Sequence, residues 1–199
     1  MSEITSINSN LIQIGGNFLQ VITEPPAPSL PPYTLRLKFT DGVIPTFYKG
    51  TGVQVSSSPN IWDLTYENSD WSQLIGSGPS LLEVIDGNTT GVVNMRMMLQ
   101  GCTSLTTVPL LDTSSVTSMN GMLAGCNSLI LVPLFNTSNV TDMSGMLFSC
   151  SNVQSGALAL YQQASSQTNV PSHDRTFYNC GSNTQTGAAE LSQIPSDWK

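Results

Sequence analysis

The sequence predicts an α+β chain: a short solenoid of 24-residue units, each with a short strand and a short helix, behind an N-terminal β cap. Three observations predict it. Apolar and sulfur-bearing residues recur every 24 positions between Met95 and Val153. Within a unit those residues fall at helical spacing, whereas residues 33–66 alternate apolar and polar side chains at period two. The chain has 199 residues, 39% of them hydrophobic, enough to fill a core in one ordinary domain or two small ones.

The repeat is the strongest signal. Met95, Met119 and Met143 form one column, followed by Met98, Met122 and Met146, then Leu99, Leu123 and Leu147, then Cys102, Cys126 and Cys150. Leu105, Leu129 and Val153 continue it, Val108-Pro109 matches Val132-Pro133, and Thr113-Ser114 and Thr137-Ser138 mark the link. One step earlier, Trp71, Leu74, Ile75, Leu81 and Val84 occupy the same columns, as in a terminal unit made atypical by having to close the core. Within one unit Val116, Met119, Met122, Leu123 and Cys126 share a helical face, and Gly125 supplies a stop. Val132 and Leu134 alternate as in a short strand, with Pro133 on its exposed side. One unit cannot bury its apolar face alone, but copies stacked about 4.8 Å apart can.

These residues resemble the BspA-like leucine-rich-repeat surface proteins, whose repeats read SNVTxMSxMFxxCxSLxxLPxxDTS. The matching positions are residues 139–147 with Cys150, and Cys126-Asn127-Ser128-Leu129 with Val132-Pro133. The resemblance covers residues 67–199; Leu99, Leu123 and Leu147 replace the usual Phe, a swap that the fold tolerates. It implies a leucine-rich-repeat-like solenoid with an exposed adhesion or recognition surface, of the variety found in phages of gut bacteria.

Cys102, Cys126 and Cys150 would form a ladder along such a core. Their spacing is no zinc motif, and parallel stacking points the Cβ vectors the same way, so they read as free structural core cysteines. Cys180 reads as the same cysteine in a last turn, delayed by an insertion at residues 156–167 in which Leu158, Tyr161 and Ala164 suggest a longer helix. Residues 154–199 then make a C-terminal cap, closed by residues 187–191 and 194–198.

Residues 33–66 read as a β-hairpin cap module. Tyr33, Leu35, Leu37 and Phe39 alternate with Thr34, Arg36 and Lys38 before the Asp41-Gly42 turn, residues 52–55 form a second strand, and Ile61, Trp62, Leu64 and Tyr66 pack it on the first unit. Trp62 and Trp71 read as core. Residues 25–32 form a proline-rich, semi-rigid spacer. Ahead of it, Ile4, Ile7, Leu11, Ile12, Ile14, Phe18, Leu19, Val21 and Ile22 are too apolar for a free tail and too few for a core of their own. Residues 1–24 are therefore read as an anchor or oligomerisation segment.

Charge narrows the function. Asp, Glu, Lys and Arg make up 10% of the chain, against about 25% in ordinary domains. A net charge of −7 argues against nucleic acid. Between Met97 and Pro171 the only ionisable side chains besides Cys and Tyr are Asp112 and Asp142, which fall in different repeat columns and make no acid–base pair. The single histidine, His173, rules out metal clusters that need two, lacks a nucleophile signature beside it, and reads as a loop residue. No catalytic residue, metal or cofactor is expected. The sequons at Asn88, Asn136 and Asn139 read as loop chemistry. No apolar run reaches the roughly 18–20 residues that span a bilayer, so no membrane insertion is expected, and the N-terminus lacks the pattern of a secretory signal.

The expectation is a non-enzymatic bacteriophage virion surface protein, a head fibre, decoration protein or tail adhesin, folded in the host cytoplasm. It would join other virion proteins through its N-terminus and present the solenoid to a host surface glycan or protein. A homo-oligomer is expected, with a trimer favoured. The alternative is a bacterial cell-surface or secreted leucine-rich-repeat adhesin. The sequence does not single out ligand-binding residues.

Overall fold

A computed structural model describes the backbone of residues 4–8, 11–14 and 17–20, and residues 29–76 and 78–199 in full. In the N-terminal segment β1 (Ile4–Asn8), β2 (Leu11–Ile14) and β3 (Asn17–Gln20) pair in that order as an antiparallel meander, with Ile7 opposite Ile12 and Ile12 opposite Leu19. The side chains of the proposed anchor (Ile4, Ile7, Leu11, Ile12, Ile14, Phe18 and Leu19), and Val21 and Ile22 entirely, lie outside the described residues.

Strands β4 (Thr34–Phe39), β5 (Thr51–Ser57), β6 (Asn60–Thr65) and β7 (Leu81–Asn88) form a four-stranded antiparallel sheet in the order β5-β6-β4-β7. Strand β4 is central because its alternation suits two neighbours: Leu35, Leu37 and Phe39 are buried, with Leu37 opposite Trp62 on one side and Val84 on the other. Its outward Arg36 makes a two-pronged ion pair with Asp63, both bonds 2.8 Å. The cap expected at residues 33–66 is thus larger than a hairpin. It takes its fourth strand, β7, from residues that the repeat pattern assigns to the first unit. The end of the proline-rich stretch is also packed rather than held clear: Leu30 is buried, and its carbonyl accepts the Asn88 side-chain amide at 2.9 Å.

The expected solenoid, with a strand and a helix in every turn, is not what the chain forms. Among the described residues, regular structure consists of the four-stranded sheet and two short helices, α1 (Ala157–Ser165) and α2 (Gln185–Gln193), with two single 3-10 turns and the N-terminal meander. Residues 89–156 contain turns and isolated bridges, without helix or strand.

The reason lies in where the amides go. The amides of Met98, Gln100 and Cys102 donate to the carbonyls of Met95, Met97 and Leu99, closing successive tight turns. The intervening amides of Met95, Met97, Leu99 and Gly101 donate outward, to Ser118, Asn120, Met122 and Ala124 of the next unit, at 2.8–2.9 Å. A helix would commit each of these to its own axis. Met97, Gly121 and Gly145 also adopt left-handed φ of 54°, 60° and 64°, which interrupts any right-handed helix at the same place in each unit. The expected alternation at 132–134 fails as well. Val132 and Pro133 are buried and Leu134 is 53% exposed, so the segment is not a two-faced strand.

One apolar core nevertheless runs through sheet and units. Leu35, Leu37 and Trp71 join the methionine, leucine and cysteine columns in a single buried cluster. Buried threonines tie successive units: the hydroxyls of Thr89 and Thr113 donate to the carbonyls of Asp112 and Asn136 at 2.8 and 2.9 Å. At the far end α1 turns Ala157, Leu160 and Ala164 inward and leaves Leu158 and Tyr161 only partly buried. Helix α2 starts at Thr184, whose hydroxyl accepts the Gly187 amide, and buried Trp198 packs edge-on to Tyr161 at 5.3 Å.

Candidate recognition surface

The bend that opens each unit is fixed by a short polar side chain. Asp70, Asn94 and Asp142 accept the backbone amides of Ser72, Arg96 and Ser144, each at 2.9 Å, which is the local turn that Asx residues favour. These positions lie in register, joined as parallel bridges from Asp70 to Asn94, Ser118, Asp142 and Ser172. The bonds received from Ser72 and Ser114 hold the carboxyls of Asp70 and Asp112 below the usual carboxylate range.

Six residues further along the same edge, successive units place Gln100, Ala124 and Phe148 in one column. Tyr178 completes it, because the insertion that carries α1 shifts the last unit: the Ser149 amide donates to the Tyr178 carbonyl and the Gly125 amide to that of Phe148, both at 2.8 Å. The rings of Phe148 and Tyr178 stack with centroids 5.1 Å apart and planes 13° from parallel. Tyr178 is 43% exposed, Gln100 is exposed, and Ala124 lies nearly flush at 9%. At the other end of the edge the amide of Tyr48 donates to the Leu74 carbonyl, and its 69%-exposed ring overlooks a depression lined by Gln73, Met97 and Gln100. Elsewhere Leu110 and Leu134 form an exposed aliphatic column beside Ile130 and Leu131.

The residues singled out by the sequence fall elsewhere. Cys102, Cys126, Cys150 and Cys180 are free and buried. The thiols of Cys126 and Cys150 donate to the Leu99 and Leu123 carbonyls at 3.3 and 3.1 Å. Burial pushes the thiols of Cys102 and Cys150 up to about 12, and those of Cys126 and Cys180 well up too, so none is a nucleophile near neutral pH. Asp112 binds Ser114 and Thr90, and Asp142 binds Ser144 and Asn120, each carboxylate in its own bend.

His173 stacks on Trp198 with centroids 4.0 Å apart, places Nδ1 2.7 Å from the Pro171 carbonyl, and approaches Asp197 at 3.6 Å. Trp71 is buried in the core, whereas Trp62, read as core, is only partly buried. Among the described residues no group of three or more His, Cys, Asp or Glu is placed to hold a metal ion, and no helix is long and apolar enough to cross a membrane.

The exposed Tyr48 and Tyr178 and the half-buried Phe148 were not singled out by sequence. The signal for two of them is the repeat itself: with the insertion removed, Phe148 and Tyr178 share the column of Gln100 and Ala124.

Tandem units joined by backbone bonds, with bends capped by Asp and Asn side chains, define a repeat protein with an open turn edge. Its family follows from comparison. The family described as "Mycoplasma protein of unknown function, DUF285" matches residues 80–189, more than half of the chain, and the chain belongs to it. That membership is consistent with a BspA-like repeat family. Neither the curated proteins nor the solved structures contain a match to the chain.

Proposed function

We propose that the protein is a non-enzymatic recognition protein, a head fibre, decoration protein or tail adhesin of a bacteriophage virion. In this reading its N-terminal segment attaches to other particle proteins as a homo-oligomer, and the repeat units face a host surface glycan or protein. The observation that carries it is the open edge of the units: side chains there are held in register by backbone bonds between units, and include the exposed aromatics Tyr48 and Tyr178. A surface set in advance loses little entropy on binding. The test is immunodetection of the full chain on purified phage particles, together with light scattering and binding of the purified chain to intact host cells. Particle-bound protein, a trimer and saturable cell binding are expected; a monomer that binds no cells and is missing from particles would remove the proposal. A second reading, a bacterial cell-surface adhesin, is favoured by the family's description, which names a Mycoplasma protein. Labelling of intact bacterial cells that carry no phage would select it.

A further inference from the structure

We propose that the exposed aliphatic column of Leu110 and Leu134 is the seat for the N-terminal segment of a neighbouring copy, so that each chain lends residues 4–22 to the next around a closed oligomer. This rests on the homo-oligomer reading above and names the surface that receives the segment. The column is built by register. Glu83 is bridged to Thr107 and Leu131 to Ser155 in parallel, and the Ile130 amide donates to the Thr106 carbonyl, so Asp86, Leu110, Leu134 and Leu158 stand on successive levels. Leu110 is 68% exposed, Leu131 and Leu134 are 53% and Ile130 is 43%. Their inward neighbours Val108, Leu111, Leu129 and Val132 already fill the core, so the outward set serves no packing within the body of the chain. Four large aliphatic side chains left in water on two adjacent levels mark a surface of contact.

The rest of the chain supplies the occupant. Residues 4–22 hold nine large apolar side chains and no charged one, and are too few to make a core of their own. The chain also enters the body beside the column. Leu30 is buried, its carbonyl accepts the Asn88 side-chain amide at 2.9 Å, and Ser29 and Leu30 line a depression with Asp86 and Asp112, one level from Leu110. The stretch that precedes this entry decides whose column is filled. In sequence Glu24, Pro25 and Ala27 each precede a proline, a context that favours extended backbone, so residues 24–28 are worth about 15 Å at about 3.1 Å each. Leu134 lies two unit spacings from the Asp86 level, about 10 Å. A stiff stretch longer than the distance to its own column carries the segment past that column and within reach of a copy alongside. A seat and a segment at different places on each chain make a head-to-tail contact, which closes into a ring such as a trimer rather than a two-fold dimer.

The test is light scattering on the full chain and on full-length variants, with circular dichroism to check that each is folded. A trimer is expected for the wild type and a monomer for the triple variant Leu110→Ser, Leu131→Ser, Leu134→Ser, whose altered side chains are all exposed. Val53→Ser with Val55→Ser, which removes exposed aliphatic side chains from the edge strand β5 instead, should remain a trimer. Leu134→Lys alone takes the place of the triple variant if that is not folded. Contact is read directly in the double variant Ile12→Cys, Leu134→Cys with a short bis-maleimide, the four native thiols being buried. Peptide mapping should find residues 12 and 134 linked between chains. Linkage within one chain, or a trimer kept by the folded column variant, would overturn the proposal. A wild-type trimer in that case leaves the oligomer reading standing, whereas a wild-type monomer removes that reading and the proposal with it.

Discussion

The four-stranded sheet and the units that follow it share one core and hold their backbones by different means. In the sheet, β4 is satisfied by two antiparallel neighbours, and its outward face carries charge: Arg36 with Asp63, and Lys38 with Glu83. In the units, alternate amides close turns and cross to the next copy, and side-chain hydrogen bonds, from buried Thr89 and Thr113 to backbone carbonyls and from Asn120 to the Asp142 carboxylate, take the place of ion pairs. The difference teaches what a repeat permits. Where the neighbour is a copy of the same segment, every side-chain bond can recur one unit on, so the surface needs little charge to hold its register.

The largest expected effect tests whether the core is one body. Leu123→Ala removes a fully buried side chain from the middle unit and should cost about 2–5 kcal/mol, as should Leu37→Ala in the sheet. In urea unfolding of either variant, far-UV circular dichroism and thiol labelling should give coincident transitions, because sheet and cysteines belong to one cluster. Separate transitions would divide the molecule into two independently folding halves.

Next in size is an alkaline loss of stability specific to the units. Below the ordinary thiol range the folded and unfolded chains both keep their thiol protons, so stability does not change through them. Above it the unfolded chain releases protons that buried Cys102 and Cys150 keep until about 12, so stability falls as pH rises across that window. The slope approaches about 1.4 kcal/mol per pH unit for each thiol. Urea midpoints at pH 8 and pH 10.5 should drop less in Cys102→Ala than in the wild type; equal drops would mean that the thiol is already open to solvent.

How much of this was legible follows from which interactions are local. The columns, the buried cysteines, the strand at Thr34–Phe39 and a helix near Tyr161 could be read because each is a pattern of side-chain type along the chain. The fold class could not. Met119, Met122, Leu123 and Cys126 are spaced as on a helix and all are buried, yet a series of tight turns buries the same spacing. The choice is made by amides that bond to a copy 23 residues away, and by left-handed backbone at Gly121 and at Met97, a residue that does not advertise it. The stacked pair of Phe148 and Tyr178 was hidden for a related reason. Phe148 and Tyr178 are 30 residues apart, and only the six-residue shift caused by the inserted helix brings them into one column.

A smaller effect compares the polar fastenings. Thr113→Val keeps the shape of the side chain but leaves the Asn136 carbonyl without its donor, and should cost about 1 kcal/mol in denaturant unfolding. Thr34→Val in the sheet breaks a hydroxyl pair with Thr65, which is half-buried and can turn to water, so its cost should be smaller. The reverse order would show that the unit-to-unit threonine bonds add nothing beyond the backbone ladder.

The smallest effect separates the two regions by salt. The Arg36–Asp63 pair is well aligned, but its side chains are 34% and 21% exposed, so water and ions share the field between them. Arg36→Ala should cost about 0.5–1 kcal/mol at low ionic strength, less as salt shortens the screening length to about 3 Å at 1 M. The unit variant Thr113→Val carries no net charge change, and its cost should not move with salt. A salt-independent Arg36→Ala would assign the residue's contribution to the packing of its aliphatic stem on the sheet rather than to the ion pair.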